Sequence, residues 1–146
     1  MTESLGFLLS DASRLLRRRF DESARAIGVT RAQWRTLVSL SRNEGINQGG
    51  LADLLEVEPI TLCRMVDRLE EAGLVERRRA PADRRAWHIY LTERSRPLLG
   101  ELRTLAADVT DRATDGLSAA ELDALTATLK RMHANLQAPV KVTAHG

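Results

Sequence analysis

Residues 47–92 constrain this chain most, because two short helical patterns meet at a tight junction and run straight into an arginine-rich hairpin. The first pattern covers residues 47–57 and the second 59–72, where Pro59 suits a first helical position and Gly73 a helix exit. Leu74-Val75-Glu76-Arg77-Arg78-Arg79 follows at once. A loop, Ala80-Pro81-Ala82-Asp83-Arg84-Arg85, then turns into Ala86-Trp87-His88-Ile89-Tyr90-Leu91. Between residues 74 and 92, five arginines stand against Glu76 and Asp83, a local charge of +3. Val75, Arg77 and Arg79 alternate on one strand, and Trp87, Ile89 and Leu91 on the other.

The second helix divides cleanly. Leu62, Val66 and Leu69, with Met65 beside them, form a packing stripe, whereas Thr61, Arg64 and Arg68 occupy a different face. A groove-sized helix beside a cationic hairpin suits a nucleic-acid duplex, whose phosphates attract the hairpin while base edges face the helix. The segment therefore reads as a winged helix-turn-helix.

Helical periodicity accounts for most of the remainder. Leu5, Leu8/Leu9, Ala12, Leu15/Leu16, Phe20, Ala24 and Ile27 define a long amphipathic helix ended by Gly28. Thr30 with Gln33 matches a capping box opening a helix whose expected buried face is Trp34, Leu37, Val38 and Ser41. Asn47 can cap the third helix, and the adjacent Gly49 and Gly50 weaken its first turn. Thr92 is expected to start the next helix, with Leu98/Leu99, Leu102, Leu105/Ala106, Val109 and Ala113 as its stripe. Ser118 and Glu121 form a second capping box, opening a helix with Leu122, Leu125, Leu129, Met132 and Leu136 on one side. Residues 138–146 read as a frayed tail.

Composition narrows the class by exclusion. At 146 residues the chain reads as one domain, and 43% hydrophobic with 29% charged residues is ordinary for a globular protein. The net charge of +2 says little, so the local arginine density carries the argument for a polyanionic partner. One cysteine, Cys63, excludes an internal disulfide framework and suits a reducing cytosol. No apolar run approaches the roughly 20 residues that span a bilayer, and the first residues lack a basic start and a small-residue cleavage site. A cytoplasmic protein with no membrane partner is expected. The histidines His88, His133 and His145 have no ligand spacing with one another or with Cys63, so no metal is expected. No phosphate loop, nucleophile elbow or metal-binding helix motif is present, so neither an enzyme nor a cofactor is expected.

In order and in residues the chain resembles the MarR family of bacterial transcription regulators over essentially its whole length. Asp83-Arg84-Arg85, followed seven residues later by Thr92, sits where that family carries its wing signature. Leu62-Cys63-Arg64-Met65-Val66-Asp67-Arg68-Leu69-Glu70-Glu71-Ala72-Gly73-Leu74-Val75 is similar to its recognition helix and exit. Arg14, Arg17, Thr30, Trp34 and Pro97 suggest the SlyA-like branch.

The resemblance implies a mainly α fold with a small two-stranded β-wing. A DNA-binding lobe would span residues 30–92, and a helical dimerisation region 1–28 and 93–138. Double-stranded DNA carrying a pseudo-palindromic operator is the implied partner, together with a second copy of the chain. Ile60, Thr61, Arg64, Arg68, Arg77, Arg78, Arg79, Asp83, Arg84 and Arg85 are the candidate DNA contacts. Asp83 would pair with Arg85 or another nearby arginine to set the shape of the wing. Leu5, Leu8, Leu9, Leu122, Leu125, Leu129 and Met132 are the candidate dimer contacts.

Many members of the family bind a small aromatic acid or phenolic compound in a cleft beside the DNA-binding lobe. The resemblance puts Arg14, Arg17 and Trp34 there, the arginines to hold a carboxylate and the indole to offer a stacking wall. Judged alone, Trp34 is a core residue and the two arginines a polar helix face. Cys63 reads as a small packing residue, with redox sensing as the alternative. Repression relieved by an effector is the expected function. Its rivals are activation by competition with another DNA-binding protein, architectural DNA binding without a ligand, and a winged helix used for protein contact.

Overall fold

The computed structural model describes residues 4–139, apart from the side chains of Asp83 and Arg84. Its elements are α1 (Leu5–Ala26), α2 (Arg31–Arg42), α3 (Gln48–Leu55), α4 (Pro59–Glu71), β1 (Val75–Ala80), β2 (Asp83–Leu91), α5 (Ser95–Ala113) and α6 (Ala119–Gln137). The fold is mainly α with a two-stranded antiparallel wing. The expected frayed tail lies largely outside the described residues. Among the described residues no helix is long and apolar enough to cross a membrane.

The chain divides into two units, Met1–Thr110 and Asp111–Gly146. The core of the first gathers Leu37 and Leu40 of α2, Leu51, Ala52 and Leu55 of α3, Leu62, Val66 and Leu69 of α4, Val75, Ile89 and Leu99. The apolar stripe of α4 thus faces inward as its spacing requires, and so fixes which face turns out. A second cluster joins Phe20 and Ala24 of α1 to Val29 and Leu102, with Trp34 packed against it. In the second unit, α6 opens with the Ser118–Glu121 capping box and buries none of its residues.

Local chemistry sets the boundaries. Thr30 and Gln33 form the expected capping box, Asn47 Oδ1 accepts from the Gly50 N–H at 2.6 Å, and Pro59 occupies the first turn of α4. Gly73 adopts φ +75°, which lets Leu74 leave α4 sharply enough to enter β1.

Four expectations are corrected. The third helix stops at Leu55 and not at residue 57, because Glu56 turns left-handed at φ 54° and its N–H bonds back to Ala52 and Asp53. The wing turn is tighter than expected: β2 already begins at Asp83, leaving Pro81 and Ala82 between the strands, with a register shift at Arg79/Ala80. Thr92 does not start α5. Its hydroxyl donates to the Gly73 carbonyl at 2.5 Å, pinning the end of the wing to the exit of α4, and α5 begins at Ser95. On α2 the buried residues are Thr36, Leu37 and Leu40. This helix packs against α1, α3, α4 and β2, and Leu37 and Leu40 enter the core that α3, α4 and the wing share.

Candidate nucleic-acid interface

Leu62, Val66 and Leu69 are buried, so helical geometry turns Thr61, Arg64 and Arg68 to solvent. Ile60 is 60% exposed at the helix N-terminus, an unusual place for a large apolar side chain. These four residues share one outward, mixed polar and apolar surface. Among the described residues, no side chain pairs with Arg64 or Arg68.

The wing sorts its arginines by strand alternation. Register pairs Val75 with Leu91, Arg77 with Ile89 and Arg79 with Trp87. The base of that face is buried and its tip is open, so Arg77 and Arg79 meet different surroundings. Arg79 stacks over the Trp87 ring at 4.4 Å. On the opposite face Arg78 pairs with Glu76 and lies 4.4 Å from the Tyr90 ring centroid. Each guanidinium thus lies over an aromatic ring, a contact that orients it. The backbone of Asp83, Arg84 and Arg85 forms the start of β2 at the wing tip, and the Arg85 side chain is exposed. The side chains of Asp83 and Arg84 lie outside the described residues, and with them the Asp83 pairing expected from the sequence.

Arg77 departs from the others. Its side chain is only 11% exposed, and its fork is saturated. Nη1 lies 2.7 Å from Asp67 Oδ1 and 3.3 Å from Glu70 Oε1. Nε donates to Gln48 Oε1 and Nη2 to the Cys63 carbonyl, each at 3.1 Å. The Arg77 backbone N–H donates to Glu70 Oε2 at 3.1 Å. One guanidinium thus ties β1 to α4 and to the start of α3. Proposed from sequence as a DNA contact, Arg77 is placed instead as a clamp setting the wing against the outward helix. Half-buried Cys63 lies beneath it, with Sγ 3.8 Å from Nη2.

The clamp makes a prediction whose sign separates it from simple electrostatics. Asp67→Asn removes a negative charge beside the outward face of α4, so charge alone predicts tighter binding of a polyanion. A loosened clamp predicts weaker binding, together with a stability loss of no more than about 1 kcal/mol, because Asp67 is half exposed and Glu70, Gln48 and the Cys63 carbonyl stay on the fork. Measured by duplex titration and thermal unfolding, unchanged or tighter binding by Asp67→Asn would remove the clamp from the mechanism.

The wing has a further support that its sequence did not disclose. The Gly45 N–H donates to the Ile89 carbonyl at 2.9 Å, and the Ile89 N–H to the Ile46 carbonyl at 3.0 Å. His88 Nδ1 lies 2.9 Å from the Gly45 carbonyl. The link between α2 and α3 therefore pairs along the free edge of β2. Single-strand periodicity cannot show such a pairing, since among the described residues the link contributes a single isolated bridge, Asn47 to His88.

Away from this surface, Arg14 and Arg17 line one cleft of about 440 Å³ with Arg18, Asp21, Arg25 and Arg31. Trp34 is not in its wall. The indole N–H donates to Asp21 Oδ1 at 2.7 Å, and its ring meets Phe20 edge-on with centroids 4.6 Å apart. Asp21 is the link that sequence reading missed. Its signal was present, since residues 14, 17, 18, 21 and 25 fall on one face of a helix.

The apolar residues proposed for dimer contact are mostly open in the single chain. Leu5, Leu8, Leu125 and Leu129 are exposed, whereas Leu9, Leu122 and Met132 are half-buried.

An outward helix in a helix-turn-helix, flanked by a two-stranded wing with ring-oriented arginines, defines a winged-helix DNA-binding protein. The MarR family profile matches residues 29–87, the segment containing the outward helix and most of the wing. The transcriptional regulator PA3341 is 35% identical, over 92% of this chain and 98% of its own, with a TM-score of 0.75. Wild-type MarR of E. coli in its apo form is 28% identical over 90% of this chain and 98% of its own, at a TM-score of 0.82. The transcriptional regulator SlyA gives 27%, 92%, 94% and 0.74 for the same quantities. The chain belongs to the MarR family and is a winged-helix, DNA-binding transcription regulator.

Proposed function

We propose that this regulator is a homodimeric repressor acting in the cytoplasm on a pseudo-palindromic operator, which it releases when a small acidic effector binds near α1. The observation that carries this reading is the outward face of α4, where Ile60, Thr61, Arg64 and Arg68 stand exposed beside the wing arginines. Such a face offers a methyl-contacting apolar group and hydrogen-bond donors to base edges, which a purely architectural binder does not need. The exposed leucines of α1 and α6 support a second copy of the chain as partner. A solved relative is described as the Multiple Antibiotic Resistance Repressor, 28% identical over 90% of this chain, which favours repression over activation. Arg14, Arg17, Thr30, Trp34 and Pro97 favour a SlyA-like member.

Genome-wide recovery of bound fragments, followed by titration of the best palindrome and of a scrambled duplex, tests the proposal. Operator preference of about 10³-fold or more is expected, with both affinities falling linearly in log–log plots against salt. A preference near one would leave architectural binding. Increased transcription from the neighbouring promoter when the protein is deleted is expected of a repressor, and decreased transcription of an activator.

A further inference from the structure

We infer that the arginine-lined cleft on α1 takes a multiply charged, phosphate-bearing small molecule in preference to an aromatic monocarboxylate, an inference that rests on the ligand-responsive reading above. The wall decides between the two chemistries. It comprises five arginines and one aspartate, with no aromatic side chain among its lining residues. The one aromatic expected there, Trp34, has its N–H on Asp21 and its ring edge-on to Phe20, so it does not offer the cleft a stacking wall.

Arg14 pairs with Asp11 at 2.7 Å, and Arg18 with Glu22 at 3.7 Å. Arg31 lies 3.9 Å from Asp21. Among the described residues no side chain pairs with Arg17 or Arg25. These two guanidiniums stand two helical turns apart on one face of α1, with Asp21 midway between them.

The number of charges settles the ligand class. An exposed ion pair contributes only about 0–1 kcal/mol, so no single arginine here can hold a ligand. A monocarboxylate satisfies one of the two forks without a carboxylate partner among the described residues, Arg17 or Arg25, and leaves the other without a counter-ion. A chain of phosphoryl groups can meet several forks at once, each through charge-assisted and bidentate contacts. The cleft volume of about 440 Å³ falls within the size range of small-molecule sites. Asp21 has a separate part. Anchored by the Trp34 indole, it keeps one carboxylate in the cleft wall, 3.9 Å from Arg31 of α2.

Calorimetric titration of the full chain without DNA, at fixed ionic strength, tests the inference with three probes: inorganic tripolyphosphate, orthophosphate and salicylate. Tripolyphosphate is expected to bind about tenfold or more tightly than either of the others. The double variant Arg17→Gln/Arg25→Gln, which alters only exposed side chains, should lose about tenfold in that affinity. A wing variant, Arg79→Gln/Arg85→Gln, controls for tripolyphosphate acting as a mimic of the DNA backbone and should retain it. Thermal unfolding establishes that both variants fold. Loss in the wing variant with retention in the α1 variant would overturn the inference, as would tightest binding by salicylate. It would equally fail if the α1 variant kept tripolyphosphate but lost operator affinity with a flatter salt slope, since the cleft would then be a DNA contact. Operator preference measured without any anion scores the regulator reading separately.

Discussion

Arg64→Ala is expected to lower operator affinity by about 1–3 kcal/mol while leaving affinity for scrambled duplex nearly intact. Arg64 projects from the outward face of α4, one helical turn after Ile60 and opposite the buried stripe of Leu62, Val66 and Leu69. No side chain of its own chain holds it among the described residues, so its fork is available to a guanine edge without first breaking an internal pair. Arg64→Lys sharpens the test. Lysine keeps the charge but not the planar fork, so it would rescue a phosphate contact and not a bidentate base contact. Parallel titrations on operator and scrambled duplex distinguish the two. Equal weakening on both, with a salt slope reduced by about 0.9, would assign Arg64 to phosphate.

The wing carries a different kind of information. Arg78 and Arg79 are stacked on Tyr90 and Trp87, whereas Arg77 is turned inward to Asp67 and Glu70. Three consecutive arginines that look alike in sequence therefore divide into two oriented charges and one clamp. Strand alternation was enough to separate Arg77 from Arg78, because Arg77 shares a face with Val75 and Ile89. It was not enough to separate Arg77 from Arg79. That distinction depends on depth along the wing, which is set by how α4 and the wing meet in three dimensions.

The same division between local and distant causes explains what else could be read in advance. The capping pairs Thr30–Gln33 and Ser118–Glu121, the Pro59 start of α4 and the Gly73 exit each act within a few residues, and each stands in the structure as the sequence implied. The stripe of α4 was legible for the same reason. Contacts that join distant segments were not, among them Ile46 with Ile89 and Trp34 with Asp21. Of the three residues that the family resemblance grouped as an effector site, Arg14 and Arg17 line one cleft, whereas Trp34 is held by Phe20 and Asp21. The left-handed Glu56 had no local signal either, because a glycine or asparagine is the usual residue there.

Leu129→Glu is expected to give a folded monomer whose operator affinity is lower by about 10²–10⁴-fold, the loss that follows when two linked half-site contacts become one. Leu122, Leu125, Leu129 and Met132 form a single stripe on α6, and neither Leu125 nor Leu129 is buried, at 44% and 41% exposed. A second copy of the chain would remove that stripe from water at about 25 cal/mol per Å². A glutamate there would have to bury its carboxylate or prevent the contact, and an unpaired buried charge costs far more than a leucine gains. The clustered core of the DNA-binding lobe, from Leu37 and Leu40 to Ile89 and Leu99, lies elsewhere in the chain and contains no residue of α6. Folding and dimerisation are therefore separable in this variant. Sedimentation gives the oligomeric state, thermal unfolding confirms the fold, and titration of full and half operators gives the affinities. The monomer should bind the half operator as well as the full one, since a single lobe then makes all the contacts in either case. Two-fold spacing makes a further demand on the proposed dimer: its outward helices must sit about 34–36 Å apart to enter successive major grooves. Inserting half a helical turn of DNA between the half-sites should thus weaken the wild type to the level of the monomer and leave Leu129→Glu unaffected. A Leu129→Glu protein that remains dimeric at full affinity would place the dimer contact on another surface.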